Sequence, residues 1–261
     1  MRGNARRLEV WLVILGATCC AAWAVLMFDA GGAGLAALCS AATLWPAPQP
    51  LSLNVALVLN APGTLAADWA LMFAAMMPPL VIAPLRHIRD RSFAKRRARA
   101  MLLFVAGYAG VWLAAGVGLQ AMALVALLAG LTPLVCLGLA AAIALGWQVS
   151  PAKQWCLNRC HRQPRLAAFG AAADRDAFAF GLSNGAFCVG ACWALMLLTL
   201  CAGPGHILAM TIVTLFVVAE RIENPAPLGW RWRGFGKALR IVTAQARMRL
   251  APKSNIREVS P

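Results

Sequence analysis

All 24 Lys and Arg residues of this 261-residue chain fall into four segments, 1–7, 86–99, 148–177 and 221–261, which hold 3, 7, 5 and 9 of them. Between them run six apolar stretches, 8–28, 64–85, 100–120, 122–147, 178–203 and 205–222. Each is long enough as a helix to cross a hydrocarbon core of ~30 Å at ~1.5 Å per residue. The connections on the other side, 29–63, 121 and 204, carry no Lys or Arg at all. Cytoplasmic enrichment of Lys and Arg is what orients membrane helices, and here the partition is complete. The expected fold is therefore all-α, a polytopic integral membrane protein with a six-helix transmembrane bundle and both termini cytoplasmic. Residues 1–222 would form the membrane domain and 223–261 a basic cytoplasmic tail.

Composition agrees. The chain is 61% apolar and 13% charged, against roughly half and about a quarter in an ordinary soluble domain. Such a chain has too little polar surface to coat a globule, and too much apolar content to stay disordered. A short, Gly-rich apolar segment, 31–45, precedes Pro46, Pro48 and Pro50. It reads as a re-entrant or surface-lying part of the outer loop. The first stretch follows Arg2, Arg6 and Arg7 and continues beyond Ala22-Trp23-Ala24, which favours an uncleaved anchor over a signal peptide.

The net charge of +15 lies beside the cytoplasmic leaflet in this topology. Anionic inner-leaflet lipids attract each Lys or Arg there by about 1 kcal/mol. A bilayer partner accounts for the charge and no nucleic acid is expected. Within 230–250, Phe235, Leu239, Val242 and Ala246 recur at helical spacing among Lys237, Arg240 and Arg247. That pattern suits an interfacial amphipathic helix.

Sulfur is the chemistry on offer. No mid-depth carboxylate, phosphate-binding glycine loop or Ser/His/Asp arrangement stands out, which disfavours proton pumps, kinases and hydrolases. Glu220 beside Arg221 reads as an end-of-helix ion pair. The fifth stretch instead places Cys188, Cys192 and Met196 at i, i+4 and i+8, one face of a helix. Gly181 and Gly185 lie seven residues before each cysteine, and small residues so placed let membrane helices approach closely. Thiols at i, i+4 start with Cβ atoms ~5–6 Å apart, too far for the ~3.5–4.5 Å of a disulfide. Their side chains can still converge on one ion.

Thiolate and thioether donors suit Cu(I), with zinc the usual competitor. Met72, Met76 and Met77 of the second stretch precede Pro78-Pro79, which should kink that helix. A second cluster, Cys156, Cys160 and His161, lies among basic residues on the cytoplasmic side. Neighbouring cations lower thiol pKa values and favour metal capture. His87 and His206 read as loop residues, and Cys39, Cys136 and Cys201 as structural.

The marks Met76-Met77-x-Pro79, Gly107-Tyr108…Trp112, Pro151-x-Lys153-x-x-Cys156-Leu157-x-x-Cys160…Pro164 and Gly185-x-x-Cys188-x-Gly190-x-Cys192-Trp193-x-Leu195-Met196 extend over about residues 69–220. They resemble a bacterial family described as predicted metal-binding integral membrane proteins. The resemblance implies a metal ion and a bacterial cytoplasmic (inner) membrane. This chain differs at Asn184, where a His often precedes the glycine, and at Ala191, where a further Cys is common. His161 stands where Arg is usual.

The expected function is binding of a soft metal ion, copper(I) before zinc, for transport or for delivery to a metallochaperone or metalloenzyme partner. Cys156, Cys160 and His161 would exchange the ion at the cytoplasmic face. Cys188, Cys192, Met196 and Met76 would hold it within the bundle. The alternatives are a thiol–disulfide redox protein using Cys156 and Cys160, and a non-catalytic membrane scaffold.

Overall fold

The computed structural model describes residues 2–29 and 62–250. Segment 31–45 lies outside the described residues. Among the described residues the regular structure is all helix, with no strand: α1 (Arg2–Asp29), α2 (Pro62–Met76), α3 (Pro78–Arg91), α4 (Arg97–Leu128), α5 (Pro133–Val149), α6 (Pro151–Cys160), α7 (Gly170–Leu200), α8 (His206–Ile222) and α9 (Gly236–Leu250), with a 3-10 turn at Gly203–Gly205. By length and composition α1, α4, α7 and the segment Gly203–Ile222 could each cross a membrane. Two bent pairs, α2 with α3 and α5 with α6, also pass when each is taken as one span, which gives up to six.

The second apolar stretch is thus two helices bent by 68°. Pro78 and Pro79 lack N–H groups, so the carbonyls of Ala74 and Ala75 lose their i+4 donors. The Ala75 carbonyl is served instead from α1, by Trp23 Nε1 at 3.0 Å and Cys19 Sγ at 3.1 Å. A buried carbonyl needs a donor, and this one pins α1 to the break.

A turn expected at residue 121 lies instead at 129–132. Nothing around Gln120-Ala121 breaks a helix, so α4 continues to Leu128. Gly130 supplies the reversal with φ of +69°, a conformation open mainly to glycine. Thr132 then caps α5, its hydroxyl accepting from Val135 N, with Pro133 at the first helical position.

Helix α7 is the centre of the molecule, packed against α4, α5, α6 and α8. Its closest neighbour is α4. A Cβ on Gly107 would lie 2.6 Å from the Phe178 carbonyl oxygen, and one on Gly181 would overlap the Phe104 carbonyl. Gly185 faces Val111 and the Tyr108 backbone. The glycine stripe is where two backbones touch, as its spacing suggested.

The end of the bundle formed by α6 and the last turn of α8 is closed by a buried polar group. Lys153 Nζ meets both Glu220 oxygens at 2.8 and 2.7 Å, each side chain 1% exposed. Gln148 Nε2 donates to the same carboxylate, and Lys153 also lies over the Phe216 ring. Glu220 therefore pairs with Lys153 rather than with Arg221. Adjacent residues point to different sides of a helix, so Arg221 cannot share its neighbour's direction. In the tail, α9 leaves Leu239 and Val242 exposed.

Candidate metal centre

Cys188, Cys192 and Met196 form one buried stripe on α7, 2%, 1% and 1% exposed. The Cys192 thiol donates back to the Cys188 carbonyl at 2.9 Å. The close α4–α7 approach brings Tyr108 over this stripe. Its phenol donates to Cys188 Sγ at 3.1 Å and lies 3.8 Å from Met77 Sδ. Rings of Phe73 and Phe104, each about 6.0 Å away, fix the phenol's position. Trp112, one turn further along α4, is buried with its indole Nε1 without a hydrogen-bond partner among the described residues.

Helices α4 and α7 thus meet at one sulfur, and Met77, at the break between α2 and α3, lies against the same phenol. The break after Met76 is what permits it, because the bend sets Met77 beside Tyr108. Met76 is itself buried on the last turn of α2, but the thioether next to the phenol is that of Met77. The donors gathered here, two thiols and a thioether, are soft and enclosed in apolar packing. That set fits a soft monovalent ion and offers nothing a hard cation would choose.

The cluster Cys156, Cys160 and His161, expected at the cytoplasmic face, does not assemble as expected. No group of three or more His, Cys, Asp or Glu that could hold a metal occurs among the described residues. Both nitrogens of His161 face backbone carbonyls, Leu157 O at 2.9 Å and Arg221 O at 3.1 Å. Neither presents a lone pair to a metal. Its ring ties the end of α6 to the end of α8.

Cys156 is packed into the notch over Gly190, where a Cβ would lie 2.6 Å from its sulfur. Burial raises its thiol pKa, the reverse of what the neighbouring basic residues suggested. One neighbouring cation is turned elsewhere: the Arg159 guanidinium lies over Trp155 and Phe187, at 4.9 and 5.8 Å. Cys160 is buried.

A raised folded-state pKa means less thiolate at any pH below it, so alkylation slows. Iodoacetamide labelling of Cys156 at pH 8 should run several-fold slower than that of a free cysteine peptide, and should catch up as pH rises above the ordinary thiol range. Equal rates at pH 8 would refute this. Mass spectrometry of the labelled peptides provides the measurement.

Tyr108 and Met77, both among the family marks, are the site residues that were not among the expected ligands. Tyr108 is the only tyrosine in the chain, and a lone phenol in an apolar run is a signal in itself, since its hydroxyl must find a partner. Asn184, one turn before Cys188, is buried on the same stripe with its Nδ2 unpartnered.

Residues 66–243 match the family model PpoB2, described as a copper chaperone. No curated protein and no solved structure matches the chain.

Proposed function

The chain belongs to the PpoB2 copper chaperone family, and from that premise we propose that it is a membrane protein carrying Cu(I) between Cys188 and Cys192. Met196 and the thioethers at the α2 break, Met76 and Met77, complete the donor set. The observation that carries this reading is the Tyr108 phenol of α4, which donates to Cys188 Sγ of α7 at 3.1 Å and lies 3.8 Å from Met77 Sδ at the α2–α3 break. A sulfur that accepts a phenol O–H acts as an acceptor, the part a thiolate fills best. Buried thiolates are costly without a compensating cation, so ion and ligands stabilise one another.

The bilayer is that of a bacterial cytoplasmic membrane, with both ends on the inner side and anionic lipids beside the basic loops. The complete Lys/Arg partition and the count of up to six spans support this setting. The tail helix α9, with Leu239 and Val242 exposed beside Lys237 and Arg240, suits the surface of that leaflet. The protein performs no reaction of its own. It passes the ion to an acceptor, a metallochaperone or a membrane metalloenzyme.

The dithiol alternative at Cys156 and Cys160 is weaker, since burial raises the Cys156 thiol. The decisive experiment uses purified full-length protein in detergent, without oxygen, and competition with a Cu(I)-specific chelator. Cys188→Ser with Cys192→Ser should lower Cu(I) affinity at this centre by at least 100-fold, on the order of the effect of losing ligand-shell groups. Cys156→Ser with Cys160→Ser should leave it within a few-fold. Unchanged affinity in the first variant would overturn the reading.

A further inference from the structure

His206, the first residue of α8, is buried to 2% exposure. Its Nδ1 lies 2.8 Å from the Thr199 carbonyl oxygen. A carbonyl can only accept, so Nδ1 carries the hydrogen. Nε2 is sealed from solvent and has no hydrogen-bond partner among the described residues. With no acceptor in front of it a proton there would be wasted, and the ring is left holding a buried lone pair.

Imidazoles that bind metals show this arrangement: one nitrogen donates to a backbone carbonyl, which fixes the ring and the tautomer, and the other is free to ligate. Two thioethers are carried by the elements that meet here. Met210 is four residues on, the same face of α8, and is 0% exposed. Met72 on α2 is held on the other side of Thr199, whose hydroxyl lies 4.0 Å from its Sδ. Thr199 is therefore the point where α2, α7 and α8 meet.

We propose a second Cu(I) site at this end of the bundle, formed by His206 Nε2 with the thioethers of Met210 and Met72. The proposal rests on the copper reading of the thiol pair and extends it. Thr199 lies seven residues beyond Cys192 on the same face of α7, so the two sites are separated by roughly 10 Å along the helix. Met196 lies between them, buried on that stripe. One imidazole and two thioethers are all neutral, so the ion keeps its charge here and is bound less tightly than between two thiolates. The site is placed at the bundle end opposite the Lys153–Glu220 pair, where an ion would enter or leave.

His206→Asn is the informative substitution, because the Asn amide can still donate to the Thr199 carbonyl while nothing replaces Nε2. Met210→Leu gives an independent loss of one donor at nearly constant volume. Both are compared with the wild type and with Cys188→Ser/Cys192→Ser in detergent, anaerobically, by Cu(I) chelator competition and copper X-ray absorption. The expected result is two Cu(I) per wild-type chain, and one in each of the His206→Asn and Cys188→Ser/Cys192→Ser proteins. The ion kept by the thiol-free protein should show imidazole scattering, and Met210→Leu should weaken it about tenfold.

One Cu(I) in the wild type and none after loss of the thiols would overturn this inference and leave the thiol centre standing. A single ion lost with His206→Asn but kept without the thiols would do the opposite. Two ions in His206→Asn, with no imidazole signal in any protein, would also overturn the inference.

Discussion

Lys153→Met should lower stability by about 3–5 kcal/mol, because it leaves Glu220 buried as a charge without its partner. Thermal unfolding in detergent would register this as a fall in Tm on the order of 10 °C. The physical reason lies in the asymmetry of buried ion pairs. Both side chains are 1% exposed, so each has given up its hydration, and the pair roughly offsets that loss. Removing one member forfeits the attraction while the other stays dehydrated. Gln148 still donates to the carboxylate, which softens the loss without cancelling a charge.

Removing both charges is expected to behave differently. Lys153→Met with Glu220→Met should recover most of the lost stability, since an apolar pair of similar volume has nothing to dehydrate. The same pairing predicts a functional difference. Lys153 and Glu220 lie as a pair of opposite charge, in contact at 2.7 Å, so their fields oppose one another at the neighbouring thiol centre. The single variant exposes the thiol centre to an unbalanced anion and should weaken Cu(I) capture, while the double variant should not. A Tm within about 2 °C of wild type for Lys153→Met would refute the account.

The all-helical class and a count of up to six spans were readable from the chain because they depend on one-dimensional quantities. Apolar length and the Lys/Arg partition need no knowledge of partners, and Pro78-Pro79 announces its bend through missing N–H groups. The glycines at 181 and 185 likewise declare a close approach, although only the structure shows that Gly107 answers them from α4. What escaped is what depends on direction. Adjacency of Glu220 and Arg221 suggested a pair, yet the carboxylate turns to Lys153, 67 residues away. The run Cys156, Cys160, His161 reads as three ligands, but helical geometry sends one into the Gly190 notch and ties another to two carbonyls. Conversely, His206 looked like a loop residue because sequence cannot show that its Nε2 is enclosed.

Gly181→Leu should be the most damaging apolar substitution on α7. Gaining a side chain normally helps a helix, by about 0.8–1.0 kcal/mol from Gly to a good helix former. Here the new Cβ would overlap the Phe104 carbonyl, and backbone cannot rotate aside as a side chain can. Helices α4 and α7 must separate, and overpacking of this kind costs about 1–3 kcal/mol, with more expected where backbone meets backbone. Gly118→Leu, whose added Cβ meets nothing within 4 Å, should be neutral or slightly stabilising, so the two substitutions differ in sign. Separation also carries Tyr108 away from Cys188, a contact now at 3.1 Å, so Gly181→Leu should lose Cu(I) affinity along with Tm. If it retained both at wild-type values, neither the α4–α7 contact nor its role in assembling the thiol centre could stand.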